Sequence, residues 1–161
     1  MNTTITQEDI DFYQENGFFI KDDFLSPDEV ANWIKVLEVG IKGRGSQMLP
    51  NAESLEPDVS NEDGNEDCNN FYSNIFVQRV NLWQDSDGVK ELILDPAIGE
   101  MCTQLADIEG FRVWHDQALY KAPYANPTSW HPDNPYWSYY SKDAMSIWIA
   151  LDDATPENGC M

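Results

Sequence analysis

The strongest helix-start signals in this chain fall in its first two-thirds and its longest strand-like runs in its last third. That order narrows the fold class before any single residue is weighed. Ser26-Pro27-Asp28-Glu29 offers an N-cap serine, a proline at the first helical position and a glutamate at the third, a set that suits the unpaired amides of a helix start. Val30, Trp33, Ile34 and Leu37 follow at three- and four-residue spacing, which predicts an amphipathic helix stopping near Gly40. Thr6 followed by Asp9 predicts a shorter helix ending near Asn16-Gly17, with Ile5 and Ile10 placed as a hydrophobic staple. Asp87–Leu94 reads as a third helix, and Asp95-Pro96 opens a fourth carrying Ile98, Met101 and Leu105. Phe18–Ile20, Phe76–Val80, Phe111–Tyr120 and Ser146–Leu151 read as strands. The expectation is an α+β fold, its helices packing an apolar face on a sheet, with no internal repeat.

Charge then limits the partners. Nine Lys+Arg stand against 29 Asp+Glu, a formal charge of −20. Nucleic-acid affinity comes largely from cationic contacts to phosphate, and docking on anionic lipid also needs cations, so neither partner is expected. No apolar run approaches the roughly 20 residues of a membrane-spanning helix. The first residues, Met1-Asn2-Thr3-Thr4-Ile5-Thr6, lack the basic and apolar regions of a signal peptide. Cys68, Cys102 and Cys160 are odd in number and widely spaced, so they propose neither a disulfide framework nor a CxxC site. A cytoplasmic protein is expected, with 161 residues forming one domain. Its texture breaks from Gly43 to about Asn70, where seven acids run from Glu53 to Asp67 and no Lys or Arg lies between Arg44 and Arg79. That stretch reads as an acidic surface loop. A calcium reading of residues 61–67 fails because the D-x-[DN]-x-[DN]-G register and the closing glutamate are missing.

The chemistry-bearing stretch is Trp130-His131-Pro132-Asp133-Asn134-Pro135-Tyr136-Trp137. On an extended segment, residues two apart project to one side, so an imidazole nitrogen of His131 and a carboxylate oxygen of Asp133 can reach one ion. This is two-thirds of the 2-His-1-carboxylate set that holds non-haem Fe(II) with open coordination positions. The competing reading makes Asp133 the cap of a turn before Pro135 and His131 a buried, hydrogen-bonded ring.

The blocks around this pair resemble the phytanoyl-CoA dioxygenase family of Fe(II)/2-oxoglutarate oxygenases. The resemblance rests on residues 114–123 (WHDQALYKAP), Trp130-His131-Pro132-Asp133, Tyr136-Trp137, residues 146–153 (SIWIALDD) and residues 157–161 (ENGCM). The N-terminal Phe12-Tyr13-Gln14-Glu15-Asn16-Gly17-Phe18 also looks typical, so nearly the whole chain outside the acidic loop is covered. The resemblance implies a double-stranded β-helix, the jelly roll of cupin-like enzymes. It further implies Fe(II) held by His131 and Asp133, with 2-oxoglutarate as co-substrate, O₂ as oxidant and a small molecule hydroxylated at an aliphatic C–H. Related halogenases lack the carboxylate, so Asp133 favours hydroxylation. Gln117 matches a residue contacting 2-oxoglutarate, and Arg79 falls near a basic residue that reaches its carboxylate. Arg79 is also the only cationic residue between Arg44 and Lys90. Tyr136, Trp137 and Trp148 are expected as walls of the substrate pocket, and His115 as a core histidine sharing a strand face with Gln117.

In the family the second iron-binding histidine follows the Asn-Gly-Cys stretch, and an arginine further on anchors 2-oxoglutarate. This chain stops at Met161, so the sequence reads as the N-terminal portion of a dioxygenase, its jelly roll incomplete at the C-terminus and its activity alone doubtful. Two rivals stand beside this reading. One is a non-catalytic β-rich binding module on the same scaffold. The other is a zinc or manganese cupin-type enzyme, because His and Asp ligands do not select one metal by themselves.

Overall fold

A computed structural model describes residues 1–45, 77–121, 128–158 and 160. The acidic loop expected at 43–70 therefore lies almost entirely outside the described residues. The chain divides into two compact units. One comprises Met1–Ser26, Ala97–Phe111 and Pro127–Met161; the other comprises Pro27–Pro96 and Arg112–Asn126.

In the first unit, helix α1 runs Gln7–Asn16. Thr6 caps it as expected, its hydroxyl accepting from Asp9 N–H while the Asp9 carboxylate accepts from Thr6 N–H at 2.8 Å. Those bonds hold the Asp9 carboxyl below its ordinary range, the Thr6 amide contributing most. Gly17 closes the helix at φ 78°, a left-handed conformation that glycine adopts without steric cost. A later helix, Pro96–Ala106 (numbered α4 below), buries Ile98, Met101, Cys102 and Leu105, a single face at helical spacing. Burial raises the Cys102 thiol above its ordinary value, and the Tyr13 hydroxyl likewise. Phe18 meets Phe12 edge-on at 5.3 Å, but Phe18–Ile20 forms no strand.

The second unit is built on α2, Pro27–Arg44. It passes the expected stop at Gly40 and ends instead at Gly45, whose N–H donates to Ile41 O at 3.0 Å with φ at 65°. Gly40 serves a different need. A Cβ there would stand 3.1 Å from Val89 Cγ2, so the glycine lets helix α3, Asp87–Ile93, approach α2 closely. Ser86 caps α3 through Val89 N–H. Leu82 in the 3₁₀ turn Leu82–Gln84 and Val89 are both fully buried, which makes them the centre of this unit's core.

Strands β1, Val77–Val80, and β2, Gln117–Tyr120, pair antiparallel in the register Val80–Gln117, Arg79–Ala118 and Gln78–Leu119. Helices with this small antiparallel sheet agree with an α+β class. Among the described residues this is the only ladder, so three strand expectations are corrected. Phe18–Ile20 and Ser146–Leu151 are not laddered, and Phe111–Tyr120 is reduced to its last four residues. Alternating apolar residues make a segment suitable for a sheet, but a strand exists only where a partner supplies its hydrogen bonds. No helix among the described residues is long and apolar enough to cross a membrane.

Candidate metal centre

His131 and Asp133 lie in the loop entering the 3₁₀ turn Asn134–Tyr136, which starts where Asn134-Pro135 fixes the backbone. Asp133 is not extended, with φ −74° and ψ −32°, so strand parity is not what aligns the pair. The side chains nevertheless converge, His131 Nε2 standing 3.4 Å from Asp133 Oδ1. The capping role is absent, because Asp133 makes no side-chain bond to the turn's amides. Only its carbonyl serves the turn, accepting from Tyr136 N–H at 2.9 Å. Nor is His131 buried: the two side chains are 42% and 51% exposed.

The imidazole is oriented from behind. His131 Nδ1 lies 2.6 Å from the Ser129 carbonyl oxygen, which can only accept, so Nδ1 carries the proton. Nε2 is then the nitrogen left facing Asp133 Oδ1. Two electron-pair donors aimed at one point repel each other unless a proton or cation lies between them. A backbone carbonyl on the far nitrogen is also the usual support of a metal-binding histidine. Two ligands on neighbouring octahedral positions of a first-row metal stand about 3 Å apart, close to the separation here. The pair therefore fits a divalent cation as two of its ligands. Among the described residues, no group of three or more His, Cys, Asp or Glu is gathered to hold a metal.

The aromatic neighbours divide. Tyr136 meets the His131 ring edge-on at 5.9 Å and remains 78% exposed. Trp137 stacks on Tyr139 at 5.4 Å, and Trp148 is half exposed. Two shallow concavities, around Thr103 and Asp107 and around Val36 and Gly88, do not include the pair.

The two residues expected near 2-oxoglutarate belong to the other unit. Gln117 is exposed on β2, its amide oxygen accepting from Gln78 Nε2 at 2.6 Å and its own Nε2 lying 2.8 Å from His115 Nε2. His115 and Gln117 thus share a side, as parity predicts, and the histidine is half-buried. Arg79 pairs with Ala118 and so takes the opposite face of the ribbon from Gln117. Its guanidinium is directed at carbonyls, with Nε and Nη2 donating to Gly45 O at 2.9 and 2.6 Å and Nη1 to Gln78 O at 2.9 Å. The fold brings His131 to Asp133 and Gln117 to His115, but it separates Arg79 from Gln117 across the sheet.

Sequence reasoning missed the polar centre of the second unit. Arg44 is buried in the last turn of α2, paired with Asp85 and donating to Val80 O and Asn81 O at 2.9 Å each. Asp116 is buried nearby and accepts the amides of Trp83 and Leu82. Arg44 bounds the acidic stretch and Asp116 lies inside a family block, but neither position signals burial. Ser129, which contacts His131, carries no sequence signal, and Ser146 stands in a family block with nothing to mark its contact with Asp133.

A family model for phytanoyl-CoA dioxygenase matches residues 13–161, nearly the whole chain. No curated protein and no solved structure matches it.

Proposed function

The chain belongs to the phytanoyl-CoA dioxygenase family, and on that premise we propose that it is a non-haem Fe(II)/2-oxoglutarate-dependent dioxygenase hydroxylating an aliphatic C–H of a small molecule. The observation that carries this reading is the approach of His131 Nε2 to Asp133 Oδ1, with His131 Nδ1 tied to the Ser129 carbonyl. His131 and Asp133 hold the ferrous ion, and Gln117 contacts 2-oxoglutarate. Arg79, with its guanidinium already on two carbonyls and on the other sheet face, is not assigned that role. When bound, the iron with 2-oxoglutarate and O₂ supplies hydroxylation coupled to oxidative decarboxylation. The jelly roll of the family is part of the same proposal.

This chain's residues do the positioning. The Ser129 carbonyl holds Nδ1, which leaves Nε2 as the nitrogen turned toward Asp133 and the ion. The Asp133 carboxylate adds negative charge that favours a divalent cation, and its presence favours hydroxylation over halogenation. Tyr136, Trp137 and Trp148 are assigned to the substrate side, Tyr136 through its edge-on contact with the His131 ring. The test is anaerobic loading with Fe(II) followed by 2-oxoglutarate. A metal-to-ligand charge-transfer band is expected in the wild type and not in His131→Ala or Asp133→Ala. A band that persists unchanged in both variants overturns the assignment.

A further inference from the structure

The two oxygens of Asp133 have different neighbours. Oδ1 faces His131 Nε2 at 3.4 Å, while Oδ2 accepts from the Ser146 hydroxyl at 3.3 Å. The terminal torsion of an aspartate is broad and roughly twofold, so an untethered carboxylate could present either oxygen, or both, to an ion. A donor on one oxygen breaks that equivalence.

We propose that Ser146 is a positioning residue of the metal centre, whose hydroxyl holds Asp133 Oδ2 so that Oδ1 alone is offered beside His131 Nε2. The inference rests on the metal reading above and adds to it the coordination mode of the carboxylate, one oxygen rather than two. It also gives Ser146–Leu151 a task that its lack of ladder bonds leaves unexplained. Thirteen residues beyond Asp133, this segment brings a donor to the far side of the ligand. His131 is steadied by a carbonyl and Asp133 by a hydroxyl, so each ligand has one support. Ser146 is exposed, which makes its substitution tolerable to the fold.

The test titrates the full chain with Co(II) and records ligand-field absorption, for the wild type, Ser146→Ala, Ser146→Thr and Ser146→Val. Ser146→Ala should weaken Co(II) binding by about tenfold, at the lower end of the range for outer-shell partners because the bond is exposed. It should also shift the absorption band as the second oxygen becomes free to coordinate. Ser146→Thr keeps the hydroxyl and should restore both. Threonine and valine differ by a hydroxyl for a methyl, so their comparison reports the hydroxyl whatever alanine does to the fold. Alanine and valine variants that match the wild type in affinity and band overturn the inference and leave the metal reading standing. A threonine variant as weak as valine also overturns it, assigning the loss to packing. A wild-type chain that binds no Co(II), or binds it unchanged in His131→Ala, removes the metal reading and this inference together.

Discussion

Arg44 and His131 each face an aspartate, one from the last turn of a long helix and the other from a loop. The Arg44 side chain is 1% exposed, and it reaches Asp85 together with the carbonyls of Val80 and Asn81. Asn81 adopts φ 57°, which turns its carbonyl to that guanidinium while its side-chain oxygen accepts from Trp83 Nε1 at 3.2 Å. His131 and Asp133 remain roughly half exposed, with Nε2 and Oδ1 facing each other at 3.4 Å. A buried, hydrogen-bonded pair is costly to break, because breaking it strands charge in a low-dielectric interior. An exposed pair contributes little to stability and is free to bind something. The same two kinds of group therefore fix a fold in one unit and form a candidate binding site in the other.

The comparison can be broken most sharply at Arg44. Arg44→Met should destabilise the chain by about 3 kcal/mol, toward the lower end for a buried pair since Asp85 reaches solvent. Urea denaturation measures the loss, and Co(II) affinity of the chain that remains folded should not change. His131→Ala should do the reverse, lowering Co(II) affinity at least tenfold while moving the unfolding free energy by no more than about 0.5 kcal/mol. If His131→Ala costs as much stability as Arg44→Met, the division into a structural and a binding pair fails.

A smaller effect sharpens the structural half. Burial pushes the Asp116 carboxyl above its ordinary 3.8, against the lowering pull of the Trp83 and Leu82 amides and of Arg44. The folded chain then holds this proton more tightly than the unfolded chain. Its contribution to stability is complete below 3.8 and is lost as pH rises through the raised folded value. Asp116→Asn keeps an acceptor for Trp83 N–H and removes the titration. The variant should gain stability relative to the wild type as pH rises from about 4 toward neutrality, read from urea midpoints across that range. A difference that is flat with pH would show that Asp116 titrates alike in both states.

How much was legible follows from how local each feature is. The cap of α1 and the starts of α2 and α4 were readable because capping signals lie within three or four residues of each other, whereas the Ser86 cap of α3 was not read. His131 and Asp133 were readable as a pair because only Pro132 separates them, although a turn rather than a strand brings them together. Gly40 was misread as a stop because its purpose is the approach of Val89, nearly fifty residues away. The two unladdered segments and the one overextended strand failed for a related reason, since local alternation does not say which partner will be present.

The amino-acid order by itself determined the helix boundaries set by caps, the acidic character, the family blocks and the His-x-Asp donor pair. Tertiary structure alone decided that Arg44 and Asp116 are buried, that Arg79 and Gln117 occupy opposite sheet faces, and that Ser146 reaches Asp133. Capping and i, i+2 contacts are fixed by a few neighbouring dihedrals. Burial, register and contacts across many residues depend on which distant segments pack together, and a single residue's chemistry does not encode that.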